Sequence, residues 1–267
     1  MKKHIIFTMG RSGSNYLSNL LNAHPEATNY GEVLGEWTLP FKIFSRIKTR
    51  KSSTEGYLDF IFTSASFFYL SQIYSAYSHL RKGKPINLKR RGALKTIGIK
   101  EFSVNFHRRN ICNYLSSRDD ILVINLYREN VLKRLISLEK MQESGVAVFS
   151  STSESANPNT KDKIVLQIPQ LLEGLNLFQK EFETHQQMIQ DLPQDRVLNI
   201  RYEDLFADTA GRSRYDNEIF RFLGLKPIAI ASDHRKLLSD DLRQVVANYQ
   251  EVEQALRNTE YERYLEH

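Results

Sequence analysis

His4-Ile5-Ile6-Phe7-Thr8 is an apolar run of strand length. It passes through Met9-Gly10-Arg11-Ser12-Gly13-Ser14-Asn15 directly into the helical pattern Tyr16-Leu17-Ser18-Asn19-Leu20-Leu21-Asn22-Ala23. A glycine-bearing turn between a buried strand and a helix leaves few folds open, because the helix must return across a sheet. The turn also aims backbone N–H groups, the positive end of the helix dipole and the Arg11 guanidinium at one place. That place suits a phosphate or a sulfate. The ATP/GTP-type loop reads G-x-x-x-x-G-K-[ST], but here Gly13 is followed by Ser14, so no lysine reaches β- and γ-phosphates from the usual position. The dinucleotide pattern G-x-G-x-x-G is absent too. An ordinary strand–turn–helix with a solvent-facing Arg11 is the plain alternative.

Three further strand candidates follow: Ala93–Phe102, Ile121–Leu126 and Arg196–Ile200. Nearly continuous apolar runs of this kind suit strands covered on both faces. Helical patterns at roughly 107–117, 129–143 and 169–191 separate them. The alternation predicts an α/β protein, a P-loop-type three-layer fold with a central parallel sheet flanked by helices. Two segments interrupt it. Residues 55–81 carry eight aromatic side chains and read as one or two helices within an insertion at about 40–92. They are expected in the core or at a subunit interface, or else lining an acceptor pocket. Residues 144–163 are polar and poor in apolar side chains, the pattern of a mobile loop or a lid.

A net charge of +6 favours anionic ligands. Apart from Arg81-Lys82-Gly83-Lys84 and Lys89-Arg90-Arg91 the basic residues are scattered. A compact anionic cofactor accounts for the excess as well as nucleic acid does, and no nucleic-acid partner is expected. Cys112 is the only cysteine, which excludes an internal disulfide. Histidines are dispersed without metal-ligand spacing, so no metal site is expected. No apolar run is long enough for a signal-peptide core or an integral membrane segment, and a cytoplasmic protein is expected.

A second anion site is readable beyond the third apolar run, in Asn125-Leu126-Tyr127-Arg128-Glu129-Asn130. Arg128 falls at the carboxyl end of a strand, where open α/β sheets bind ligands. Ser137 follows nine residues later within a helical pattern. Taken alone, Arg128 is as readily the ion-pair partner of Glu129 or Glu139.

Taken with Arg11-Ser12-Gly13-Ser14, this pair resembles the sulfotransferases that use 3′-phosphoadenosine 5′-phosphosulfate (PAPS). Arg-Ser-Gly-Ser is the loop form of that family's carbohydrate- and protein-tyrosine-modifying branches. Arg201-Tyr202-Glu203-Asp204-Leu205 is similar to its Tyr-Glu-Asp-Leu segment, and Leu242–Glu251 with Thr259-Glu260-Tyr261 to the tail of many bacterial members. The resemblance spans the chain except 40–95 and 144–165, and implies a single sulfotransferase domain over 1–267. It implies that Arg11, Ser12, Gly13, Ser14 and Asn15 hold the 5′-phosphosulfate, that Arg128 and Ser137 hold the 3′-phosphate, and that Tyr202 packs or bonds the adenine. His234-Arg235-Lys236 is a further basic cluster, either near the 3′-phosphate or simply solvated surface. The product would be adenosine 3′,5′-bisphosphate and the partner a small-molecule or glycan acceptor.

Sulfuryl transfer needs in-line attack, a base and stabilisation of the leaving phosphate, for which Arg11 is the natural electrostatic group. His24-Pro25 ends the first helix, and Ala27-Thr28-Asn29-Tyr30-Gly31-Glu32 follows. Protein-tyrosine sulfotransferases share an Ala-His-Pro ending here and place a catalytic Glu at the spacing of Glu32. Glu32 is therefore the expected base, with Glu36 in reserve. Lys100 either neutralises the sulfate or covers the sheet edge. A P-loop-type nucleotide kinase and a non-catalytic adenine-nucleotide binding protein are the rival readings.

Overall fold

The computed structural model describes residues 1–49, 52–81, 83, 85–144, 163–230 and 241–265. In chain order they form β1 (Lys2–Thr8), α1 (Ser14–Ala23), β2 (Ala27–Asn29), α2 (Leu39–Ile47), α3 (Thr54–Thr63) and α4 (Ala65–Arg81). Then come β3 (Thr96–Phe102), α5 (Ser103–Arg108), β4 (Ile121–Tyr127), α6 (Val131–Ser144) and α7 (Ile168–Gln190). β5 (Val197–Arg201), α8 (Tyr202–Leu205), α9 (Thr209–Phe222) and α10 (Tyr249–Leu256) complete the order.

The five strands make one sheet in the order β2-β3-β1-β4-β5, every pairing parallel. Successive side chains of a strand point to opposite faces, and β1 divides its apolar residues accordingly. Ile5 and Phe7 join Ile97, Ile99, Val123 and the inserted helix α3 in one core. Ile6 joins Ile124, Ile200 and the helices α1 and α9 in another. Two buried faces produce the three layers expected from the apolar runs. A third core ties α6 and α7 to the C-terminal segment through Leu135, Leu175, Val246 and Val252.

Register positions the site. Thr8 lies opposite Phe102 on one side and Leu126 on the other, so the carboxyl ends of β1, β3 and β4 finish level. The loop after β1 and the chain after β4 therefore emerge side by side. Lys100 and Glu101 sit near the carboxyl end of β3, beside Ile6 and Phe7.

Differences from the sequence expectation have local causes. The helix expected at 107–117 is instead α5, which stops at Arg108, because Asn110 adopts a left-handed conformation (φ 55°) and the Ile111 N–H turns back to the Phe106 carbonyl at 3.0 Å. Asparagine tolerates that geometry where most residues do not. β3 starts at Thr96 because Arg91–Ala93 form a 3₁₀ turn. β2, three residues long, is too short to leave a periodic signal. The 55–81 segment forms α3 and α4 as expected. Of the 144–163 loop, residues 145–162 lie outside the described residues, as does His234-Arg235-Lys236. No described helix is long and apolar enough to cross a membrane.

Candidate active site

The turn after β1 is left-handed at two points, Arg11 (φ 64°) and Gly13 (φ 77°). Gly13 is the residue before α1, and the helix has neither a side-chain cap nor an acidic residue in its first turn. No acidic side chain of the first turn competes for its leading N–H groups, of which that of Tyr16 turns back to the Gly13 carbonyl at 2.9 Å. A Cβ on Gly13 would stand 2.6 Å from the Phe206 ring and 3.1 Å from that of Tyr202, so only glycine lets the turn sit against these rings.

Arg11, Arg128 and Ser137 come together here. The Arg11 Nε donates to Ser137 Oγ at 3.0 Å, and Arg128 donates to the Arg11 carbonyl at 3.3 Å. The sequence separates the guanidinium expected at one end of a cofactor from the hydroxyl expected at the other; the fold puts them in contact. Arg128 also lies over the Tyr202 ring, 4.2 Å from its centroid. Burial, and then the neighbouring positive charge of Arg128, lower the Arg11 pKa, with Tyr202 acting in the opposite sense. Two guanidinium groups drawn together in a half-buried site favour an anion between them. The Ser12 hydroxyl and the Arg128 Nε are buried without a hydrogen-bond partner among the described residues. Phosphate oxygens would satisfy both donors.

Asn15, on the first turn of α1, leads to the other end of the site. Lys100 Nζ donates to Asn15 Oδ1 at 2.9 Å and pairs with Glu32 Oε1 at 2.5 Å. The Trp37 indole N–H donates to the other Glu32 oxygen at 2.9 Å. Glu32 is therefore held within reach of the loop and α1. Glu36 is not: it is exposed and pairs with Arg109 at 3.1 Å.

Three supporting residues escaped the sequence reading. Trp37 is one. Glu101, fully buried, accepts from the backbone N–H groups of Val33 and Leu34, from Phe102 N at 3.2 Å and from Asn105 at 2.9 Å. It fixes the loop that carries Glu32. Burial raises its pKa to about 7, opposed by those hydrogen bonds and assisted by Glu32. Arg134, also fully buried, donates to the Gly10 carbonyl at 3.2 Å and pairs with Glu181 at 2.7 Å, fastening the anion loop to α6 and α7. A charge inside a run of apolar residues is the only trace Glu101 leaves in the sequence; Arg134 leaves none.

No family model and no curated protein sequence matches the chain. Among solved structures it is similar to a sulfotransferase from Alicyclobacillus acidocaldarius (13% identity, TM-score 0.43, covering 91% of this chain and 89% of that one). It is also similar to the sulfotransferase domain of the Synechococcus PCC 7002 olefin synthase (18% identity, TM-score 0.44, 93% and 82%). A third is a sulfotransferase from Mycobacterium avium (13% identity, TM-score 0.42, 96% and 76%). Each resembles the chain over most of its length, and none supplies a residue role.

Proposed function

We propose that the chain moves a sulfuryl group from PAPS to an acceptor hydroxyl on a glycan, glycolipid or small metabolite. The observation that carries this reading is the meeting of Arg11, Arg128 and Ser137 at the amino end of α1. A nucleotide with a phosphate on each side of its ribose explains why cations from two separate strand ends are gathered there. When bound, PAPS supplies an activated sulfuryl group with adenosine 3′,5′-bisphosphate as its leaving group.

The residues divide the work. Arg128 and Ser137 hold the 3′-phosphate, and Tyr202, beneath Arg128, packs the adenine. Ser12, Gly13, Ser14 and Asn15 present their N–H groups and hydroxyls to the 5′ end. Arg11 offsets the negative charge that builds on the departing phosphate, a contribution of about 3 kcal/mol for a preorganised donor. Glu32 takes the proton of the attacking hydroxyl as its oxygen bonds to sulfur and the bond from sulfur to the phosphate oxygen breaks. Lys100, beside Glu32, neutralises the sulfonate in flight.

The test has a binding arm and a turnover arm. Adenosine 3′,5′-bisphosphate should raise the melting temperature more than AMP does, and Arg128→Ala should erase the difference. Labelled sulfate should pass from PAPS to an acceptor, with Glu32→Gln lowering turnover by about a hundredfold while the bisphosphate shift persists. Equal shifts with AMP refute the 3′-phosphate assignment. Magnesium-dependent ATP turnover in place of sulfate transfer makes the chain a kinase instead.

A further inference from the structure

The charge of this molecule is unevenly placed. Residues 37–91 hold eleven lysines and arginines against two acids, Glu55 and Asp59, while the whole chain carries only +6. The remainder is therefore net negative. Asp59 is already engaged by Arg118 at 2.8 Å. Lys89 is turned inward onto backbone carbonyls at the end of α1, so not every cation of the segment faces out.

The same segment carries the exposed apolar surface. Among the described residues, the large apolar side chains at least half exposed all lie between Trp37 and Leu88, save Met1, Val165 and Leu177. They are organised by helix period. On α2, Leu39, Ile43 and Ile47 form one exposed row at i, i+4 spacing, and exposed Lys42 and Arg46 form the row beside it. Phe41 points inward. On α4 only Phe68 is buried, while Tyr69, Leu70, Ile73, Tyr74, Tyr77 and Leu80 stand on one face. No acid occurs anywhere in α4, and Arg81 closes it. Isolated exposed apolar residues are ordinary; an apolar helix face like that of α4 is not, nor is the apolar row of α2 with a basic row directly beside it.

We propose that this helical insertion docks the protein on an anionic lipid bilayer. Apolar rows enter the acyl boundary while flanking lysines and arginines meet the headgroups, the arrangement of an interfacial amphipathic helix. Charge complementarity selects this occupant. A second copy would bring the same positive segment against itself, and nucleic acid would leave the apolar rows without a partner. Trp37 connects the docking face to the candidate site, since the indole that is 58% exposed there also holds Glu32. The docking claim stands whether or not the chain transfers sulfate.

Vesicle flotation of the full chain tests it. Vesicles of equal parts phosphatidylcholine and phosphatidylglycerol should retain the protein, pure phosphatidylcholine should retain far less, and added salt should release it. Lys42→Glu with Arg46→Glu should lower partitioning roughly fivefold for each residue changed. Leu70→Ser with Ile73→Ser and Tyr77→Ser should lower it at least about tenfold. Melting temperatures of both sets should stay near that of the unchanged chain, because every substituted side chain is exposed. Absence of vesicle binding by the unchanged chain, or equal binding by all forms, overturns the proposal. A solution dimer that the α4 variant dissolves, with no vesicle binding, assigns the face to a second copy and overturns it too.

Discussion

At the scale of single residues, the site depends on charges that the core swallows. Arg134 sits in α6 with a helical neighbourhood that reads as partly exposed, yet it is fully buried and joins the Gly10 carbonyl to Glu181. Pattern reading missed it because an arginine in an amphipathic helix is ordinarily a surface residue; only the meeting of α7 with the anion loop makes it internal. Removing one partner of a buried pair strands the other. Because Glu181 keeps 22% of its side chain exposed, Arg134→Met should destabilise by less than the loss of a fully buried partner, about 2–3 kcal/mol in urea unfolding, and Arg134→Lys should recover only part. Glu101 predicts a pH effect. Its folded pKa of about 7 stands above the ordinary glutamate value of 4.5, so the native state binds more protons than the unfolded chain between those values. Its stabilising contribution is complete below pH 4.5 and is lost as the pH rises through 7. Glu101→Gln should flatten that decline, about 3 kcal/mol at most, in unfolding curves measured across the same window. An unchanged slope assigns the decline to other groups. Arg11 and Arg128 were legible as candidates because each lies just beyond a strand end, where short-range pattern is informative; Ser137, midway along α6, stood out only beside Arg128, and Glu32, in the loop after β2, only through the family resemblance.

Elements were legible in proportion to their length and periodicity. β1, β4 and α7 each present an apolar pattern long enough to fix their type, and each appears within a residue or two of expectation. α5 and β2 did not, since a single left-handed asparagine ends the first and neighbouring strand β3 supplies the only reason for the second. The junction of β1 and α1 is the element on which the site depends, and it tests the role of conformation against that of contact. Gly13→Ala imposes a left-handed alanine and drives a methyl toward Phe206 and Tyr202. The conformational term costs about 1–2 kcal/mol, and displacement of the rings about 1–3 kcal/mol more. Gly10→Ala meets nothing within 4 Å and has no positive φ, so it should change stability by about 0.5 kcal/mol or less. Denaturant titration of the two variants separates these outcomes. Because Tyr202 lies beneath Arg128, Gly13→Ala should also weaken binding of adenosine 3′,5′-bisphosphate.

Across the whole molecule, the sheet order divides labour by side. β4 and β5 with α6, α8 and the C-terminal core carry Arg128, Ser137 and Tyr202, whereas β2 and β3 carry Glu32, Lys100 and the inserted helices. β1 and its loop lie between the two halves, and Arg11 and Asn15 touch one each through Ser137 and Lys100. A ligand gripped by this loop and by α6 adds a link between the centre of the sheet and one flank, leaving the inserted helices to their own packing. Hydrogen exchange should read that asymmetry. Adenosine 3′,5′-bisphosphate should slow exchange at the amides of Ser12 to Asn15 and across the junction of β4 and α6, by an amount set by ligand concentration over its dissociation constant. The exposed face of α4 should exchange at an unchanged rate, because none of the residues proposed to hold the phosphates lies on it. Slowing across α2 and α4 to the same degree would mean that the nucleotide closes the insertion over itself. The proposed confinement of the nucleotide to the side of β4 and α6 would then have to be abandoned.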